Sequence, residues 1–206
     1  YKENFLLSGI PYYDNLVIHN LHLMLWIFPI IIILFLFNGE AQQLYHGYGI
    51  LKIIRGELKY KVILKKEASI CIRCFCILFL YVLAMQDSVN FSKTFFQSFL
   101  MFYLTFITVL LFQFVLEHIF MDKIVAFTVV LVWFVISIML SNIFKQHTNF
   151  EIWQYVFIPN FAFAQRNGMI QVQGTANSYL EIGLLGMIII LETICSIIIG
   201  SKKDLI

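Results

Sequence analysis

Charge is what this sequence has least of. Only 13% of its 206 residues are Asp, Glu, Lys or Arg, against about 25% in soluble domains. With 61% hydrophobic residues and a mean hydropathy of +0.86, the shortage excludes an ordinary water-soluble globular domain. Chemical signatures are missing too. No G-x-x-x-x-G-K-[ST] occurs, so the chain is not its own ATPase; no H-E-x-x-H or G-x-S-x-G occurs either. No Glu-Glu pair or Asp cluster suits an intramembrane hydrolase. Few ionisable groups interrupt the apolar runs, which disfavours a proton-driven transporter built on chains of Asp, Glu or His. Three of the four cysteines, Cys71, Cys74 and Cys76, lie inside one apolar run, which argues against a secreted disulfide framework. There is no cleavable signal pattern, internal repeat or low-complexity linker, and the chain reads as one domain.

What is present is a set of solid apolar blocks, unlike the weak alternation of a membrane β-barrel. Five stand out, at about 17–38, 69–86, 95–117, 124–141 and 179–200. Each is long enough for a helix to cross a bilayer core of about 30 Å, and only helices satisfy every backbone group there. The expected fold is all-α: a polytopic membrane protein with five predicted transmembrane helices.

Cations orient them. Residues 39–68 carry Lys52, Arg55, Lys59, Lys61, Lys65 and Lys66, with Arg73 just beyond; the turn at 118–123 carries Lys123 and the tail Lys202 and Lys203. The other loops hold only Lys2, Lys93, Lys145 and Arg166. Cations gather in cytoplasmic loops, so 39–68, 118–123 and the C-terminus are expected inside, and 1–16, 87–94 and 142–178 outside. The chain then begins outside, as a six-span protein lacking its first helix does, and as a genuine five-span protein also does.

Residues 44–66 are the densest basic segment. Leu44, Tyr48, Leu51, Leu58 and Val62 mark one helical face, with Arg55 at the missing step. The spacing predicts an amphipathic helix at the inner interface, or two short helices broken near Gly56. Two readings stay open: an anchor on anionic lipid head groups, and a docking element for a cytoplasmic partner. Arg55 on the apolar stripe must snorkel or meet an acidic pocket.

The order of these parts, with "IIRGELKYK" in the basic loop, "FIPNFAFAQRNG" before the last span and "KKDLI" at the end, resembles the membrane subunit of ABC-2-type exporters, most of all the small Gram-positive permeases that partner a separate ATPase. The likeness is one of layout and loose motifs over the whole chain. It implies that 44–66 is the coupling element, with Tyr48, Lys52, Arg55, Gly56, Glu57, Lys59 and Tyr60 meeting an ABC ATPase subunit. It further implies a second copy or a related permease chain as partner, and a multi-pass place in the bacterial plasma membrane. ATP and Mg²⁺ would sit on the ATPase, with no cofactor in this chain and no nucleic acid partner. An amphipathic or hydrophobic substrate, such as a bacteriocin-like peptide or a lipid-like molecule, would leave the cell. The alternative is a non-transporting scaffold or immunity protein that binds a partner or toxin in the bilayer.

Residues 150–166, with Trp153, Pro159, Asn160 and Arg166, are apolar and aromatic but broken by proline; a re-entrant or interfacial hairpin is expected on the outer side, capping the pathway by the same resemblance. In the spans, Arg73 and Glu192 lie at similar depth and are a candidate ion pair. Glu117, His118, Asp122, Lys123 and Glu181 read as boundary residues or helix caps. His19 and His22 share a face but lack a third zinc ligand, and the cysteines read as small hydrophobes. Gly183 and Gly186 would let another helix approach closely.

Overall fold

The computed structural model of the chain describes residues 7, 9, 20–45, 48–84, 93–147, 155–167 and 177–202, side chains excepted at 20–25, 48–49 and 145–147. Every regular element among them is helical: α1 (Asn20–Leu36), α2 (Gln42–Tyr45), α3 (Tyr48–Ile54), α4 (Lys59–Ala84), α5 (Lys93–Phe120), α6 (Lys123–His147), a 3-10 helix (Ile158–Ala162) and α7 (Ser178–Lys202). Four described helices, α4, α5, α6 and α7, are long and apolar enough to cross a membrane. The first expected span is the shorter α1, 17 residues with Pro29 inside, about 25 Å at 1.5 Å per residue. Residues 17–19 lie outside the described residues.

α5 is the central post. It packs on α4, α6, α7 and the 3-10 helix, and 78% of its most apolar stretch is buried, against 11% for α7. Two buried threonines of α5 are satisfied locally: Thr105 donates to Met101 O at 2.8 Å and Thr108 to Leu104 O at 3.0 Å, the i−4 back-bond that lets threonine sit in apolar surroundings. The turn to α6 is short. Met121 takes a left-handed φ of 56°, and Asp122 caps α6 by accepting from Ile124 N at 2.7 Å, as the sequence reading of Asp122 expects. The core between α1, α5 and the 3-10 region is aromatic. Trp26 meets Phe102 and Phe163 edge-on at 5.7 and 4.7 Å, a favoured ring geometry.

Leu185 of α7 packs with Met101 of α5 and Phe161, and Gly200 lies beside His118; α5 and α7 therefore run the same way. Lys59 at the start of α4 reaches Ser201 O at 3.5 Å, so α4 runs opposite to α7. The three cation-rich segments consequently share one end of the bundle, here the basic end, while the 3-10 helix lies at the other. Outward faces are apolar: Ile72 and Leu80 on α4, and Tyr179, Leu180, Met187, Ile190 and Leu191 on α7, are all more than half exposed.

Within the chain, Gly183 and Gly186 are not packing positions; a reading of them as a dimer seam concerns a second copy. A Cβ at Gly183 or Gly186 would meet nothing within 4 Å, whereas one at Gly200 would lie 2.7 Å from Ile63 Cδ1. Among the glycines of α7, the close helix contact is at Gly200, where α4 meets α7.

Candidate functional site

Of the two expected forms of the basic segment, the one broken at Gly56 is found, not a single amphipathic helix. α3 ends in a Schellman cap: Gly56 N donates to Ile53 O at 3.0 Å and Glu57 N to Lys52 O at 3.1 Å, with Gly56 at a left-handed φ of 93°. That conformation suits glycine because it has no Cβ. The chain then turns into α4, whose first two turns are the basic part of the segment. The expected single stripe is thus broken. Leu44 and Val62 are buried, while Leu51 and Leu58 are about half exposed, at 47% and 53%.

What remains outside is a mixed surface. Leu51, Ile54, Leu58, Tyr60 and Leu64 are exposed, and Arg55, Lys61 and Lys65 stand among them. Lys52 and Lys59 are half-buried, and Tyr48 opens α3 with its side chain outside the description. Glu57 pairs with Lys65 at 2.9 Å, and that hydrogen bond holds the Glu57 carboxyl below its ordinary pKa.

The other side of the segment is bolted to the bundle. Glu40, in the turn after α1, is 4% exposed. It is gripped by Lys66 and, at 2.8 Å, by Arg73, both from α4. Burial pushes the Glu40 carboxyl up, but the hydrogen bonds and charges of Arg73 and Lys66 outweigh it and hold the pKa below the ordinary value. Arg73 also lies over the Phe37 ring at 5.3 Å. Its partner is therefore Glu40, which corrects the expected Arg73–Glu192 pair: helix position matched Arg73 to Glu192 in depth, but the 37–41 turn brings a carboxylate closer.

On either side of Glu40, Gly39 N and Ala41 N donate to the two carboxylate oxygens of Glu117, at 2.7 and 2.9 Å. Gln113 steadies that carboxylate, and donates to Leu34 O at 3.3 Å. Next to Glu117, His118 Nδ1 is hydrogen-bonded to Tyr45 Oη at 2.8 Å. Burial lifts the Tyr45 hydroxyl to a pKa of about 12. Glu117 and His118 are 1% and 0% exposed, so they are buried connectors rather than boundary residues. α4 and α7 are joined below by a hydrogen bond from Ser196 to Glu67, with Thr193 also bonded to Glu67.

At the far end, Arg166 is buried and donates to Asn160 Oδ1 at 2.8 Å, Ser141 Oγ at 2.9 Å and Asn142 Oδ1 at 3.1 Å. The expected Pro-Asn…Arg motif is thus one constellation. Pro159 stands in the first turn of the 3-10 helix, where a missing N–H costs little, and Asn160 and Arg166 clamp that turn to α6. Trp153 lies outside the described residues. Among the described residues no group of three or more His, Cys, Asp or Glu is placed to hold a metal.

Sequence reasoning missed the partnerships of Glu40, Lys66, Tyr45, Glu67 and Ser196, and the burial of Glu117, His118 and Glu181, which do stand near helix ends. One signal was available: Asn38-Gly39 marks a tight turn, and a turn leaves amides that need acceptors.

No solved structure matches the chain. It is 25% identical to "Uncharacterized protein YybK" of Bacillus subtilis (strain 168), over 95% of this chain and 81% of that protein. The family described as "Protein of unknown function (DUF2705)" matches residues 2–206, which include all four long apolar helices and the basic-end junction, and the chain belongs to that family.

Proposed function

We propose that this chain is the membrane permease subunit of an ATP-driven ABC exporter, coupled to a separate ATPase subunit through the segment 44–66 at its basic end. The observation that carries this reading is the two-sidedness of that segment. Outward it offers apolar side chains, Leu51, Ile54 and Leu58, with Arg55 and Lys61 among them. Inward, Tyr45 is hydrogen-bonded to His118 of α5, and Lys66 grips Glu40 in the preceding 37–41 turn, which Arg73 of α4 and Glu117 of α5 also hold. A partner that moves α3 moves the ends of two long helices with it, the form a rigid-body or hinge transition takes.

In this reading the basic end is cytoplasmic, and ATP and Mg²⁺ reside on the partner. Two permease chains flank the path, and an amphipathic or hydrophobic molecule leaves the cell. The resemblance to small Gram-positive ABC-2 permeases supports the choice of partner. The outward apolar faces of α4 and α7 support a bilayer surround.

The test is affinity capture of the tagged chain in mild detergent. An ATPase subunit bearing a P-loop is expected to follow it, and Arg55→Glu combined with Ile54→Asp is expected to release that subunit while leaving the helical content unchanged. Capture of no ATPase would overturn the permease reading in favour of a membrane scaffold. Retention by the double variant would overturn the coupling surface.

A further inference from the structure

Most of the buried carboxylates at the basic end are satisfied. Glu40 has Lys66 and Arg73, Glu117 has two backbone amides, and Glu67 has Ser196. Glu181 is different. It lies at the start of α7, in the half of that helix next to the 3-10 end, and is 1% exposed. Among the described residues neither of its carboxylate oxygens has a hydrogen-bond partner. Buried polar groups are nearly always bonded, and an exception needs an explanation. An ionisable side chain within a spanning helix is costly and is by default a candidate functional group.

Glu181 belongs to a face. The buried positions of α7 are Glu181, Leu185, Ser196 and Gly200, and Glu192 stands one turn before Ser196 on the same side. Glu192 Oε2 is also buried without a partner among the described residues, and one turn on, Ser196 is bonded to Glu67 of α4. The two α7 carboxylates are 11 positions apart, about 16 Å along the axis. Between Ser178 and Lys202 the helix has no basic residue. The inward face of α7 is thus acidic at two depths, with no positive charge of its own to answer it.

We propose that this face of α7 receives the positively charged group of the exported molecule, which places the substrate among cationic amphipaths such as basic peptides or lipophilic ammonium compounds. The proposal rests on the permease reading for the word exported; the cation site itself does not. Glu192 with Glu67 meets the charge near the basic end, and Glu181 meets it near the other end, once α7 and α5 part to admit it. A carboxylate left unpaired at rest favours such a cation over a neutral molecule of the same shape.

The test uses the purified protein in lipid nanodiscs, with empty nanodiscs as background and tetraphenylphosphonium as the probe. Hydrogen bonds and pairings to charged groups are stronger than neutral ones, so Glu181→Gln and Glu192→Gln are each expected to weaken binding roughly 10-fold or more. Neutral triphenylphosphine oxide is expected to bind wild type and both variants alike. Binding of the cation no greater than to empty nanodiscs, equal cation affinity in wild type and both variants, or no preference for the cation over the neutral probe would each overturn the proposal. If Glu181→Gln fails to fold, Glu192→Gln and the wild-type comparison of the two probes still decide. Carboxylate-dependent binding by a chain that captures no ATPase would uphold the cation site and defeat the permease reading instead. Capture of the ATPase with carboxylate-independent binding would do the reverse.

Discussion

Glu117 of α5 accepts the amide hydrogens of both Gly39 and Ala41, so one side chain of the central helix closes the turn that leads into the basic segment. Removing it orphans two buried donors. Glu117→Ala is therefore expected to cost about 1–3 kcal/mol for each amide left unbonded. Glu117→Gln keeps one acceptor and turns an NH2 toward the other amide, and should fall between. Thermal unfolding in mild detergent measures both. An alanine variant as stable as wild type would show that the turn does not depend on this carboxylate.

Glu40 sits between those two amides and gives the junction an acid limit. Its folded-state pKa is lowered from 4.5, so its contribution is fully present above the ordinary carboxylate value and is lost as pH falls through the folded value. Stability should therefore drop as the pH goes below about 4.5, and Glu40→Gln should be less stable at neutral pH and lose much of that acid dependence. Tyr45 gives the opposite limb. Its pKa is raised to about 12, so its contribution is complete below its unfolded value near 10 and is lost as pH rises toward 12; Tyr45→Phe should flatten that limb. Unfolding midpoints between pH 3 and 11 read the two limbs separately.

Arg166 reaches Asn160, Ser141 and the Ile138 carbonyl through Nη1, whose two hydrogens these acceptors share, and Asn142 through Nη2. A planar fork can do this and an ammonium cannot. Arg166→Lys is expected to cost about 2 kcal/mol by leaving buried acceptors unmet. It should also loosen the 3-10 helix against α6 without touching the basic end. Cysteine labelling at Ser141→Cys against Tyr60→Cys in the Arg166→Lys background distinguishes these: faster labelling at the first and unchanged labelling at the second is the expected pattern.

Solid apolar blocks are legible because length and composition alone make a span, and the four long helices follow from them. The grouping of Lys59, Lys123 and Lys202 at one end was also legible, since alternation of charged loops is a property of order along the chain. Partnerships were not. Arg73 and Glu192 match in depth on paper, but Glu40 is brought to Arg73 by a turn whose path depends on Glu117, and no local pattern encodes a contact across 76 residues. Glu117, His118 and Glu181 looked like boundary residues for a similar reason: a polar residue near the end of an apolar run reads as exposed unless the neighbouring element that covers it is known. Asn160 and Arg166 were found because they are six residues apart and share one short loop.

Gly56 tests the division of the basic segment most directly. Its φ of 93° and the two hydrogen bonds at Gly56 N and Glu57 N end α3 and turn the chain into α4. A Cβ there meets no atom within 4 Å, so any penalty for Gly56→Ala comes from the backbone and not from crowding. A left-handed non-glycine residue costs roughly 1–2 kcal/mol. The variant is therefore expected to keep its spans and raise amide exchange at Gly56 and Glu57 by about 10-fold, as the cap frays by that amount. If α3 and α4 were instead one continuous helix, the same substitution would slow exchange there, because alanine is the better helix former by about 1 kcal/mol. Under the permease reading the fraying has a second consequence. Leu51, Ile54 and Arg55 lose their fixed bearing on α4, so Gly56→Ala should weaken ATPase capture even though it removes no side chain from the docking surface.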